Sequence, residues 1–198
     1  MPSVAEGFGM NRKTVIKLII ALLLICVGAY FYAYVKKDAA LYDTAYARSQ
    51  MTPELKIYAG HDFEYEFECD RDNITGVKLL LSRAGGKDGK IQYTLEECGQ
   101  GGAVSSGSLK LSRFKSGKFT FLDTDTFKNS AGKRYRLVIA CSNSEESAAV
   151  AAVTPDGTGT PALCFTYIEW DLQTMIIFCF LAAYLVGFVV VLVKIFRK

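Results

Sequence analysis

The chain has 198 residues, 51% of them hydrophobic and 22% charged, with a formal net charge of +3. That charge is segregated: residues 38–171 carry 15 Lys/Arg against 19 Asp/Glu, while the flanks hold 8 basic residues and one acid, Glu6. A positive total that comes from the ends excludes a nucleic-acid surface, and the length suits one domain with membrane segments.

Residues 1–13 read as a short cytoplasmic tail that closes on Arg12 and Lys13. Residues 14–35 are the first expected transmembrane helix, with Lys17 placed to snorkel back to the headgroups. The apolar run is longer than the about 7–15 residues of a signal-peptide core. It ends in Tyr30, Phe31, Tyr32 and Tyr34, an interfacial aromatic belt, so the sequence predicts an uncleaved span. Residues 36–56 follow as a juxtamembrane helix or linker. Leu41 and Ala45, then Tyr42 and Tyr46, fall at i,i+4 spacing, and Pro53 ends any such helix.

From residue 57 to 168 the period changes to two, the mark of strands with one buried face. Asp62, Glu64, Glu66 and Glu68 alternate with Phe63, Tyr65, Phe67 and Cys69. Residues 75–97, with glycines at 85, 86 and 89, read as a hairpin. Further strands are expected near residues 103–111, 118–122, 134–141, 147–153 and 163–168. About eight short antiparallel strands predict an extracytoplasmic all-β sandwich, jelly-roll or immunoglobulin-like, flanked by two transmembrane helices. The acidic row would repel itself unless offset, so Arg134 and Arg136 are expected beside Glu64 and Glu66.

Residues 172–193 form the second expected span. At about 1.5 Å per residue, roughly 20 apolar residues cross a core about 30 Å thick. Residues 194–198 (Lys194, Arg197 and Lys198) complete a basic cytoplasmic tail. Near the span ends, Arg12, Lys13, Lys17 and these three residues outweigh Lys36 and Lys37 on the other side. The charge bias puts both termini in the cytoplasm and residues 36–171 outside the plasma membrane.

Cys26 and Cys179 lie in the spans as packing residues. Cys69, Cys98, Cys141 and Cys164 form two disulfides outside the cytoplasm, with three connectivities open, or remain four small buried thiols. Strand parity favours Cys69 with Cys141 and Cys98 with Cys164.

Catalytic patterns are sparse. His61 is the lone histidine, and neither a nucleophile elbow nor a phosphate loop is present. Asp123 and Asp125 match a short acidic metal–nucleotide pattern but read as a strand-end turn. Asp70, Asp72, Asp123 and Asp125 are weak candidates for a calcium site at a sandwich rim. Asn73-Ile74-Thr75 is a glycosylation sequon, and Tyr58, Phe114 and Phe127 are candidate aromatic platforms for a sugar. No cofactor is implied.

Two stretches carry a family resemblance: Phe67-Glu-Cys-Asp-Arg-Asp-Asn-Ile-Thr-Gly-Val-Lys-Leu and Phe127-Lys-Asn-Ser-Ala-Gly-Lys-Arg-Tyr-Arg-Leu-Val-Ile. They resemble extracytoplasmic β-sandwich modules of bacterial membrane proteins of cell-surface polysaccharide synthesis, including glycosyltransferase-like multispan proteins. The resemblance implies a jelly-roll module in a glycan-handling envelope setting and transfers no catalytic residue. The resulting expectation is a membrane-anchored, non-enzymatic binding or accessory module whose partners are the lipid bilayer and envelope glycan or a larger membrane protein. A two-span sensor or assembly subunit is the alternative, followed by a carboxylate-dependent glycan enzyme.

Overall fold

The structure, a computed structural model, describes residues 12–86, 88–99, 103–145 and 148–196. The chain divides into two compact units: residues 36–169, and the two ends up to Val35 and from Trp170. The tail expected over residues 1–11, the Arg197 and Lys198 end and the strand start at Ser147 lie outside the described residues.

The end unit is a pair of helices, α1 (Arg12–Tyr32) and α2 (Leu172–Phe196). Asp171 caps α2, its carboxylate accepting from the Thr174 backbone N–H at 3.1 Å, one of the donors a helix start leaves unpaired. The segment of α2 long and apolar enough to cross a membrane is Leu172–Leu192, 21 residues with mean hydropathy 2.9. The apolar part of α1 is shorter, Ile19–Tyr32. The rings of Tyr32 and Phe178 lie 5.0 Å apart.

The other unit contains the strands: β1 (Tyr34–Ala40), β2 (Thr52–Ile57), β3 (Phe63–Cys69), β4 (Ile74–Arg83), β5 (Lys90–Glu97), β6 (Ala103–Lys110), β7 (Phe119–Phe127), β8 (Lys133–Cys141), β9 (Ala149–Val153) and β10 (Leu163–Trp170). These ten strands of the described residues form two antiparallel sheets. One runs β1-β10-β4-β9-β2 with β7 also on β4, and the other runs β3-β8-β5-β6. A strand has only two edges. β4 pairs with β7 through residues 74–80, with β10 through 74–79 and with β9 through 81–83. Strands β9 and β10 therefore lie end to end along one edge of β4.

Alternating side chains from both sheets meet in one core, where Val77, Leu79 and Leu122 face Ile91, Leu95, Leu137 and Ile139. Phe67 of one sheet stacks on Phe165 of the other, with centroids 6.2 Å apart. Full burial of each such side chain contributes about 1.5–3 kcal/mol.

The acidic and basic strands do lie side by side: β3 pairs with β8, placing Glu66 opposite Arg136 and Glu68 opposite Arg134. On the far side of β8, Arg136 Nη2 donates to Glu96 Oε2 at 2.7 Å, so a guanidinium stands between two carboxylate strands.

Three expectations need correction. Residues 75–97 are not a hairpin, because β4 and β5 belong to different sheets. Each buries its apolar face against the other across the core, and the long glycine-bearing connection arches from sheet to sheet. The segment at 38–47 is not helical: β1 runs to Ala40, and Tyr42 and Tyr46 then fold onto the outer face of the larger sheet beside Met51, Leu80 and Ala162. Pairing β1 at the sheet edge and covering that face outweighs a weak helical spacing. Third, residues 52–56, expected as the end of the linker over 36–56, belong with Ile57 to β2, an edge strand of the sandwich paired with β9, with an irregularity after Pro53 where proline has no N–H to give.

Candidate functional site

Sandwiches have two open sides, where an edge strand of one sheet faces an edge strand of the other. On one side these are β2 and β3. Thr52 to Ile57 is mostly exposed, and on β3 the inward-pointing Tyr65 stays only half buried because no further strand covers it. A cleft of about 350 Å³ opens there, lined by Leu55 and Lys56 of β2, by Asp62, Phe63, Glu64 and Tyr65 at the start of β3, and by Thr158, Thr160 and Pro161 of the loop after β9. That volume falls within the range of about 300–1,000 Å³ typical of ligand pockets.

Each wall is fixed by local chemistry. Tyr58 and His61 exchange backbone hydrogen bonds across a tight turn whose Gly60 has φ +83°, and this sets the start of β3. Their ring centroids lie 4.3 Å apart with the planes tilted by 34°, so His61 is in ring contact with Tyr58. The loop after β9 is organised by one carboxylate. Asp156 Oδ1 accepts from the Thr154 hydroxyl at 2.7 Å, the Thr158 hydroxyl at 2.8 Å and the Thr158 backbone N–H at 3.1 Å. Those bonds hold the Asp156 carboxyl below its ordinary value of 3.8. The Thr158 and Thr160 hydroxyls lie 2.7 Å apart on the cleft rim. Lys56 donates to Glu145 at 2.7 Å, which raises the lysine and lowers the glutamate.

The cleft brings the apolar surfaces of Tyr65, Leu55 and Pro161 together with two carboxylates, an ammonium and two hydroxyls. Such a surface can stack a ring and exchange hydrogen bonds with groups around it. Asp62 and Glu64 are both exposed, so neither has the dehydrated setting of a catalytic acid.

The sequence candidates fall elsewhere. Asp123 and Asp125 lie within β7 rather than in a turn, and both are exposed. Asp72 accepts from the Ala131 backbone N–H at 3.0 Å, while Asp70 sits 3.7 Å from Arg71. Among the described residues no three His, Cys, Asp or Glu side chains converge as a metal cluster, so the calcium candidates are not brought together. Phe114 is 3% exposed in the core and Phe127 packs on Tyr135 at 6.0 Å, so neither is a sugar platform. Tyr58 is half-buried, with the exposed His61 ring beside it. In the sequon, Asn73 adopts φ +60° in its turn and Thr75 is buried, its hydroxyl donating to the Thr166 carbonyl at 3.3 Å.

The four domain cysteines are free thiols, and the favoured pairings do not fit the topology. Cys69 is in register with Lys133, whereas Cys141 lies eight residues further along β8. That separation is about 27 Å along a strand, against an upper limit near 7 Å between bridged Cα atoms. Cys98 and Cys164 both point outward, but from opposite sheets. Parity tells inside from outside, not one sheet from the other. Burial pushes the Cys69 and Cys164 thiols up.

The cleft residues were absent from the sequence candidates. Their signal was Tyr65, an aromatic inside the acidic alternation, and the run of threonines and Asp156 in the loop over residues 154–161. Only the topology shows that the two lie together.

No family model matches the sequence, and no curated protein matches it. Among solved structures, a carbohydrate-binding module (CBM36) in complex with calcium and xylotriose superimposes with a TM-score of 0.34 and 10% identity, covering 67% of this chain and 99% of that one. A second, TmCBM61 in complex with β-1,4-galactotriose, gives a TM-score of 0.27 and 12% identity over 68% of this chain and 84% of that one. These superpositions are too loose to carry function, which rests on the residues of this chain.

Proposed function

We propose that this protein is a membrane-anchored, non-enzymatic saccharide-binding module of the cell envelope. The observation that carries the reading is the cleft between β2 and β3, where the half-exposed Tyr65 ring is framed by Asp62, Glu64, Lys56, Thr158 and Thr160. A sugar ring has an apolar face for an aromatic side chain and a rim of hydroxyls for carboxylates and threonines. No convergent acid–base pair or nucleophile accompanies these groups among the described residues, which favours binding over turnover.

Both helices act as anchors in this proposal. Phe31, Phe180 and Leu24 are among the large apolar side chains they leave exposed, a surface that suits lipid. The shorter apolar run of α1 reaches the interface with help from Lys17 at one end and aromatic residues at the other. The excess of basic residues toward the two chain ends, Arg12, Lys13, Lys17, Lys194, Arg197 and Lys198, favours cytoplasmic termini and a sandwich facing outward. The resemblance to sandwich modules of surface-polysaccharide proteins supports an envelope glycan, or a larger protein that carries one, as the partner.

The test is an array of oligosaccharides from bacterial envelope polysaccharides, probed with the full chain in maltoside micelles beside its Tyr65→Ala variant. Retention by the native chain and about tenfold weaker retention by the variant are expected. No retained oligosaccharide, or equal retention by both chains, overturns the reading.

A further inference from the structure

On the opposite side of the sandwich, the connection from β6 to β7 builds a different surface. Its sequence is Leu111-Ser-Arg-Phe-Lys-Ser-Gly-Lys118. Leu111 and Phe114 are buried and anchor the loop. A tight turn closes from the Lys118 N–H to the Lys115 carbonyl at 3.1 Å, with Gly117 at φ +69°. The intervening side chains are left to project, and Arg113, Lys115 and Lys118 line a pocket of about 240 Å³ with Phe119 and Phe121. Two more cations border the same rings: Arg48 lies 5.0 Å from the Phe119 centroid and Lys36 Nζ lies 5.7 Å from that of Phe121.

Three cations thus line one pocket and two more lie on its aromatic rings, in a domain with an excess of acids, and no carboxylate lines the pocket. Elsewhere on the sandwich Lys56, Lys78, Lys133 and Arg136 each pair with a carboxylate. None of the five makes an ion pair among the described residues. Cations grouped on one surface create a positive potential that favours an anion.

The geometry points to a phosphate-ester site formed by Arg113, Lys115 and Lys118, with Lys36 and Arg48 adding positive potential from the Phe121 and Phe119 rings. A phosphate group presents several charged oxygens, which a guanidinium and two ammonium groups lining one pocket can share. The phosphate belongs either to an anionic lipid headgroup or to a free phosphoester, and the site is independent of the cleft at Tyr65.

The experiment titrates inorganic phosphate into the full chain by calorimetry, in phosphate-free maltoside micelles at low ionic strength. Saturable binding is expected, weakened at least tenfold in the double variant Lys115→Gln/Lys118→Gln and unchanged in Tyr65→Ala. All three residues are exposed or half-exposed, and circular dichroism checks that the variants fold. Repeating the titration in nanodiscs with and without phosphatidylglycerol separates the sources. Phosphate excluded only when phosphatidylglycerol is present identifies the headgroup as occupant, whereas binding in both discs identifies a free phosphoester. Absence of saturable binding in micelles, or equal binding by the double variant, overturns the proposal.

Discussion

The two open sides of the sandwich are built alike and finished differently. Between β6 and β7 the gap is stitched: Tyr93 donates its hydroxyl to the Asp123 carbonyl at 2.7 Å, and the Asp125 N–H reaches Ser105 Oγ at 3.3 Å. Gly107 is required there, because a Cβ at that position would run into the Tyr93 ring. Between β2 and β3 the half-buried Tyr65, its ring stacked on the buried Phe63 at 6.5 Å, faces a cleft rimmed by polar groups. One edge spends its aromatic residue on cohesion and the other leaves it available. The ligand site is therefore expected where packing stops short.

Substitutions sharpen that contrast, the largest expected effect first. Gly107→Ala forces the Tyr93 ring aside and is expected to destabilise the sandwich by about 1–3 kcal/mol, read as a lowered Tm of the full chain in micelles. Tyr65→Ala, on the open edge, is expected to cost about 1.4 kcal/mol of saccharide binding, a tenfold loss, with a smaller shift in Tm. A larger loss of stability from Tyr65→Ala than from Gly107→Ala would erase the distinction between the edges. Tyr93→Phe leaves the Asp123 carbonyl without that donor and is expected to cost about 1 kcal/mol by thermal melting.

On the outer face of the smaller sheet, Arg136→Ala is expected to lower the Tm only slightly, because both partners of its pair with Glu96 are open to solvent. The smallest effect concerns pH. Asp156 is held below its ordinary value, so its contribution is complete above about 3.8 and is lost as pH falls through the lower folded value. The Thr158 amide resonance, whose N–H Asp156 accepts, is expected to titrate with a midpoint under 3.8; a midpoint at or above that value contradicts the loop geometry.

Some of this organisation was legible in the sequence. Unbroken alternation over residues 62–69 and 134–141 located β3 and β8, and their opposite charges identified them as neighbours. Charge complementarity names a partner, whereas alternation alone does not. For that reason β4 and β5, each with one apolar face and joined by a glycine-bearing turn, read as a hairpin although they face each other across the core. The cysteine pairing failed on the same ambiguity. Tyr42 and Tyr46 kept their apolar role but pack on a sheet without forming a helix, since their spacing says nothing about the surface awaiting them. The cleft was illegible because Tyr65 and Thr158 are brought together by the pairing of β2 with β9, which the sequence reading left as linker.

The most direct test of the central claim, that the β2–β3 side receives the saccharide, is chemical-shift mapping of the full chain in micelles. The probe is a mixture of oligosaccharides released from bacterial envelope polysaccharide. Shifts concentrated at Asp62, Tyr65, Thr158 and Thr160, with the Tyr93 and Gly107 edge unmoved, are the expected result. No shifts, or shifts gathered at Tyr93 and Gly107 instead, would contradict it.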